Sequence, residues 1–585
     1  MKKTKIVSTL GPASEDQEIF RELVKKGLNV ARLNFSHGDH DSHGRIIKMI
    51  KKVRKELNEP VAILLDTKGP EIRTGEFGVS EVFLKEGDRY TLTSREVLGD
   101  EKICSVSYPN LARDIEVGNK ILIDDGLVEL KVEKISQGTD IECIVENPGI
   151  IKSNKGINVP GAKIKLPAIT EKDIEDIKFG INMGIDFIAA SFVRKAEDVL
   201  EVRKILEENK GQEIQIIGKI ENQEGIDNLD EIIQVSDGIM VARGDLGVEV
   251  PTEEIPLIQK HMIEKCNKVG KPVITATQML DSMMRNPRPT RAEVTDIANA
   301  ILDGTDAIML SGETAIGKYP IEAVNMMRII AKRTEDSIDF KELLRSKVVE
   351  KNITITDAIS NGTCLTAMDL QASAIITATS SGYTARMVSK FRPKAPIIAT
   401  TTKESIRRRM SLVWGVTSII TEELETTDDI IEVSTETALR EGLIERGELV
   451  VITAGVPVGV AGTTNLIKAH IVGDILLSGT GIGKNSATGR VVIIDDRKQN
   501  ISRFKEGDIL VCQSTDRDLV DIIEGAGAIV TEEGGITSHA AIVGLHYCKP
   551  TVVGAESACS KLKNGDIVTV DANTGLIYSG KTRIL

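Results

Sequence analysis

Between residues 214 and 249 the chain holds a lysine and two carboxylates in a pattern that suits anion and metal chemistry. Lys219 and Glu221 alternate with isoleucines, and Asp245 follows the next apolar run and Gly244. Alternation puts Lys219 and Glu221 on the same face of one strand. Two carboxylates, with water and substrate oxygens completing an octahedron, suit Mg2+ or Mn2+. A lysine beside them is a fixed positive charge, fitted to a transferring phosphoryl group or an enolate oxygen. Arg32 and Arg73 add two forked cations able to grip phosphate. Asn34, Ser36, Asp66 and Thr67 offer one carboxylate and several neutral oxygens, a set that suits a weakly held monovalent cation. A surface salt-bridge cluster, and a hydrogen-bond network for the second set, are the competing structural readings.

These residues need elements to position them. Strand-like runs at 5–10, 29–36 and 62–67 alternate with helical ones; Ser14 begins a capping box for a helix over 15–26. From Gly69 to about Pro167 the helical period is lost, and short alternating runs separated by turn clusters predict an all-β insertion. Strand–helix alternation resumes after a cap at Thr170, with strands at 187–193, 214–220, 238–241, 272–277 and 307–310. Eight strands, each followed by a helix, predict a closed (β/α)8 barrel of the α/β class, with an open doubly wound sheet as the alternative. Barrel chemistry sits at the C-terminal strand ends. There this chain places Arg32, Asn34, Ser36, Asp66, Thr67, Lys219, Glu221, Asp245, Thr277, Ser311 and Glu313.

Residues 341–473 read as a second α/β unit. Its loop Thr379-Ser380-Ser381-Gly382-Tyr383-Thr384 combines hydroxyls, a glycine and a helix start, which makes either an anion site or an ordinary turn. The loop 459–464 could close over the same anion. Residues 474–585 are rich in glycine and strands, with a lone His539 opening a small-residue helix. The run Gly479-Thr-Gly-Ile-Gly-Lys484 fails as a phosphate-binding loop, because Ser478 takes the first-glycine position and Asn485 follows the lysine; it reads as a flexible linker. The expected organisation is a barrel over 1–70 and 168–340, a lid over 71–167, an α/β domain over 341–473 and a C-terminal domain over 474–585. His37, His40 and His43 share a spacing of three but lack a completing ligand, so a solvated loop and helix start is preferred to a metal site.

Composition limits the function classes. The 585 residues carry 74 basic and 87 acidic side chains, a net charge of -13 that argues against nucleic acid as main partner. Seven scattered cysteines without a CxxC pair disfavour disulfides and zinc. No apolar run reaches membrane-spanning length, and Met1-Lys-Lys-Thr-Lys leads straight into a strand, so a soluble cytoplasmic protein is expected.

Eight motifs, in order, resemble the pyruvate kinase family: Thr9-Leu-Gly-Pro, Ala31-Arg-Leu-Asn-Phe-Ser-His37, Leu65-Asp-Thr-Lys-Gly-Pro-Glu-Ile-Arg73, Ile217-Gly-Lys-Ile-Glu-Asn222, Met240-Val-Ala-Arg-Gly-Asp-Leu-Gly247, Thr275-Ala-Thr-Gln-Met-Leu280, Pro289-Thr-Arg-Ala-Glu293 and Met309-Leu-Ser-Gly-Glu-Thr-Ala315. The resemblance covers residues 1–473. It implies a TIM barrel with an inserted β-barrel lid, an α/β regulatory domain and phosphoryl transfer from phosphoenolpyruvate to ADP, giving pyruvate and ATP in glycolysis. It implies Glu221 and Asp245 as Mg2+ (or Mn2+) ligands and Asn34, Ser36, Asp66 and Thr67 as K+ ligands, with Glu71 marking a potassium-dependent member. Arg32 and Lys219 would meet the phosphoryl group. Ala242, Arg243, Gly244, Asp245 and Thr277 would lie at the substrate. Thr277, directly or through water and Ser311, would serve protonation. Asn34, His37 and Arg73 would meet the nucleotide. Residues 379–384 match the family's phosphate loop for activators, and the altered second loop admits a sugar phosphate or a nucleotide as effector. A homotetramer is implied. The tail, through Thr537-Ser-His539-Ala-Ala, resembles the swivelling phosphohistidine domain of PEP-utilising enzymes and reads as a structural or interface element. Two other classes are a metal-dependent enolate lyase or aldolase on the same barrel and a non-catalytic sugar-phosphate sensor.

Overall fold

The computed structural model describes residues 2–347, 353–423, 426–456, 464–473, 475–494 and 501–582. Two compact units are distinguished, 1–343 with 403–418, and 344–402 with 419–585.

In the first unit, eight parallel strands close a barrel: β1 (Lys5–Thr9), β2 (Val30–Asn34), β3 (Ala62–Asp66), β4 (Phe187–Ala190), β5 (Gln215–Ile220), β6 (Gly238–Ala242), β7 (Val273–Ala276) and β8 (Ala307–Leu310). Strand β1 pairs with both β2 and β8, which completes the closure and excludes the open sheet. Alternation sorts the strand residues into two cores. Ile217 of β5 joins the packed barrel interior, while Ile216 and Ile220 face the outer helices. The same period aims Lys219 and Glu221 into the barrel mouth. Leu412 is fully buried in the interior layer, carried by a segment that lies in sequence between two strands of the second unit.

The insertion forms a seven-stranded, largely antiparallel sheet and a two-stranded pair around its own core. The chain returns through the helix Glu171–Asn182, whose Thr170–Asp173 capping box is the expected one. The first helix differs from expectation. It spans Gln17–Lys25 and is capped by Asp16, because the Ser14 hydroxyl turns back to accept from Gly11 N at 3.2 Å.

In the second unit a five-stranded sheet holds Ala374–Ala378, Ile397–Thr401, Val416–Ile420 and Leu449–Gly455 with an antiparallel fifth strand, Thr464–Ile471; most of the loop 459–464 lies outside the described residues. The tail builds an eight-stranded sheet. Residues 479–484 are not a linker: the strand Thr480–Ile482 pairs with Thr551–Val553. A Cβ on Gly481 would lie 2.1 Å from Ala572 O, so the glycine there permits close backbone packing rather than flexibility. All seven cysteines are free, and no helix among the described residues is long and apolar enough to cross a membrane.

Candidate active site

The barrel mouth gathers charge from four strands. From β2, Arg32 donates through Nε to Asp66 Oδ2 at 2.6 Å and through Nη1 to the Thr9 hydroxyl at 2.7 Å. Asp66, at the end of β3 and 1% exposed, also lies 3.1 Å from Lys219 Nζ. Lys219 completes its contacts with Glu221 Oε1 at 2.9 Å and the Ser191 hydroxyl at 2.7 Å. Burial alone would favour a neutral Lys219, but the Asp66 and Glu221 carboxylates outweigh it and raise its pKa. Burial likewise opposes the Asp66 charge, yet Arg32 and Lys219 hold its carboxyl below the ordinary range.

Glu221 Oε2 accepts Phe192 N at 2.5 Å, and its carboxylate neighbours that of Asp245. Burial first, and Glu221 second, push the Asp245 carboxyl up to about 8. Two adjoining carboxylates, one of them short of a compensating charge, form a donor pair that a divalent cation fits. Among the described residues no group of three or more His, Cys, Asp or Glu side chains could hold a metal ion, so this pair would leave the remaining positions to other oxygens.

Past β6 and β7 the backbone brings Gly244 and Thr277 together. Thr277, just past β7, has φ +68, and Gln278 has φ +54. Successive left-handed non-glycine residues, the first β-branched, are costly and here hold the Thr277 hydroxyl where it accepts Gly244 N at 2.8 Å. The Arg243 side chain turns away, donating to Thr277 O at 2.6 Å and Asp296 Oδ1 at 2.7 Å. Arg243 therefore buttresses the Thr277 turn, and only its backbone faces the Gly244 side. Ser311, past β8, donates its N–H to Glu313 at 2.8 Å, and Glu313 also accepts Leu280 N.

The remaining expected residues lie around this centre. Asn34 Oδ1 accepts Ser36 N at 3.1 Å, and the Thr67 hydroxyl accepts Ser191 N at 3.1 Å. His37 is exposed. Arg73 is held by Glu71, with Nε to Oε2 at 2.7 Å. His40 and His43 begin the helix His40–Leu57 as expected, but His43 is buried against Phe35 rather than solvated. Ser191 carries no motif of its own in the sequence, and Thr9, which opens the first motif, has no role assigned there. The available signal was position, since both stand at the C-terminal ends of barrel strands.

The sequence matches the family models described as pyruvate kinase barrel domain over residues 1–324, pyruvate kinase alpha/beta domain over 357–470 and PEP-utilising enzyme mobile domain over 504–575. It is 54% identical to a pyruvate kinase of Geobacillus stearothermophilus and 53% identical to one of Bacillus licheniformis, in each case over the whole of both chains. The chain belongs to the pyruvate kinase family. It is accordingly an enzyme, a kinase. A solved pyruvate kinase from Cryptosporidium parvum superposes with a TM-score of 0.77 at 42% identity, covering 80% of this chain and 96% of that one.

Two further groups of expected residues belong to the second unit. In the segment matched to the pyruvate kinase alpha/beta domain, Gly382 has φ +82, its N–H donates to the Thr379 hydroxyl at 2.9 Å, and the Ser381 hydroxyl accepts Tyr383 N at 3.4 Å. Ser380 is exposed, and the Thr384 hydroxyl meets that of Thr464 at 2.9 Å. In the segment matched to the mobile domain, His539 Nδ1 meets the Thr515 hydroxyl at 2.9 Å at the start of the helix His539–His546.

Proposed function

We propose that the barrel mouth transfers the phosphoryl group of phosphoenolpyruvate to ADP in glycolysis. The P–O bond of phosphoenolpyruvate breaks, a bond to the terminal ADP oxygen forms, and the enolate left behind takes a proton at its methylene carbon to give pyruvate. The observation that carries this reading is the shared ammonium of Lys219, set between the Asp66 and Glu221 carboxylates and already charged. Phosphoryl transfer asks mainly for position and for fixed positive charge.

Lys219 and Arg32 would face the transferring group. Glu221 and Asp245 would hold Mg2+ or Mn2+, which supplies charge neutralisation at the phosphoryl and enolate oxygens when bound. The backbone over Ala242, Arg243, Gly244 and Asp245, with the Thr277 hydroxyl, would receive the substrate carboxylate. Thr277, directly or through water and Ser311, would deliver the proton. Asn34, Ser36, Asp66 and Thr67 would take K+, and Asn34, His37 and Arg73 would meet the nucleotide phosphates under the closing lid. Residues 379–384 would bind a sugar-phosphate or nucleotide effector in a cytoplasmic homotetramer. The tail would serve structure or assembly.

The test is consumption of phosphoenolpyruvate with and without ADP, Mg2+ and K+. Turnover dependent on all three is expected. Pyruvate formed without ADP would mean that the phosphoryl group goes to water, and would overturn the kinase reading.

A further inference from the structure

The helix Glu171–Asn182 is the first element after the inserted lid, and its opening turns reach both loops that carry the proposed potassium ligands. Asp173 is 1% exposed; besides capping its helix it accepts Gly69 N at 3.1 Å, two residues beyond Thr67. Gly69 has φ +72, and a Cβ there would lie 2.8 Å from Ser191 Cβ, so this approach requires glycine.

On the other side, Lys172 Nζ donates to Phe35 O at 2.9 Å, between Asn34 and Ser36, and to Asp176 Oδ2 at 2.7 Å. Asp176 Oδ1 meets His40 Nε2 at 2.7 Å, and the His40 ring stacks on Phe179 with centroids 4.4 Å apart. Phe35 is itself buried against His43, whose Nε2 bonds His37 O at 2.8 Å. One helix thus grips the loop of Asn34, Ser36 and His37 and the loop beyond Asp66 and Thr67.

From this arrangement we infer that Lys172, Asp173 and Asp176 are positioning residues that set the affinity of the monovalent-cation pocket. The inference rests on the potassium reading above. Neutral oxygens bind a monovalent ion well only when they are already spaced for it. If a loop must be ordered as the ion enters, the ordering cost appears as weaker binding. Lys172 stands outside the pocket and touches no reacting group, so its effect should fall on ion affinity and not on the chemical step.

Turnover of the full-length enzyme against K+, at saturating phosphoenolpyruvate, ADP and Mg2+, tests this in the wild type and in Lys172→Met, Lys172→Arg and Asp176→Asn. The half-activating K+ concentration should rise about 3–10-fold in Lys172→Met and Asp176→Asn. Lys172→Arg, which keeps a charged donor, should stay near wild type. Turnover at saturating K+ should remain within about twofold throughout. Unchanged half-activation in Lys172→Met and Asp176→Asn, or a uniform loss of turnover at every K+ concentration, overturns the inference. A wild type indifferent to K+ would remove the pocket itself, a failure seen before any variant is compared.

Discussion

The Lys219 ammonium rests 2.9 Å from the Glu221 carboxylate, an ion pair between two residues whose side chains leave the end of one strand on the same face. The same ammonium lies 3.1 Å from Asp66, so a single cation serves two buried carboxylates. Removing it has two separable consequences. Lys219→Met should lower kcat by about 100–1,000-fold through loss of one preorganised charge. It should also destabilise the fold by about 3–5 kcal/mol, since the buried Glu221 carboxylate then loses its ion-pair partner. Added Mg2+ should restore part of the melting temperature without restoring turnover. Steady-state kinetics and thermal unfolding, each with and without Mg2+, check the pair of outcomes.

Asp245 predicts a pH dependence. With burial and Glu221 pushing its carboxyl up to about 8, the metal-free folded state retains a proton that the unfolded chain has lost above about pH 4. More protons bound in the folded state means that this group's contribution to stability falls as pH rises from about 4 to about 8, and is constant above. A divalent ion must displace that proton. Mg2+ affinity should therefore climb with pH up to about 8 and then level, with about one proton released per ion at pH 7. Calorimetry in buffers of different ionisation enthalpy measures the release; none released would contradict the pairing.

Glu71 contacts Arg73 through both Nε and Nη2. Glu71→Lys should relieve the potassium requirement by placing a fixed ammonium near the proposed pocket, while freeing Arg73 and shifting the KM for ADP. Kinetics at zero and saturating K+ decide it, and an ion dependence equal to wild type would count against the assignment.

Leu412 separates stability from chemistry. It is fully buried in the barrel interior, so Leu412→Ala should leave a cavity and cost about 2.5–5 kcal/mol. With no contact at the mouth, kcat measured well below the melting temperature should stay within about twofold of wild type. Denaturant unfolding and initial rates report the two quantities.

For His539, whose Nδ1 engages the Thr515 hydroxyl, a structural role predicts no phosphoenzyme. Incubation with radioactive phosphoenolpyruvate should leave no stable, acid-labile label, and His539→Ala should keep its turnover. Label that disappears in the variant would assign a shuttle instead.

Much of the barrel was legible because its signals are local. A period of two fixes which strand residues share a face, so the pairing of Lys219 and Glu221 follows from their spacing alone. The count of eight strands and the loss of helical period after Gly69 likewise depend only on neighbours along the chain. The first helix cap is not legible from the sequence because Ser14 and Asp16 both suit the role locally, and the contact of Ser14 with Gly11 decides between them. Residues 479–484 were misread because glycine serves flexibility and close packing equally well, and the strand that packs there comes from far along the chain.

What tertiary structure alone decided were partnerships across distance. Closing the barrel sets Arg32 on Asp66 and Lys219 on Ser191, turns Arg243 under Thr277, and lets the helix Glu171–Asn182 hold two loops at once. Residue types and spacing determined that a lysine and two carboxylates face one site. Which buried carboxylates share that lysine follows from strand register and hydrogen-bond geometry, and these exist only once strands distant in sequence lie side by side.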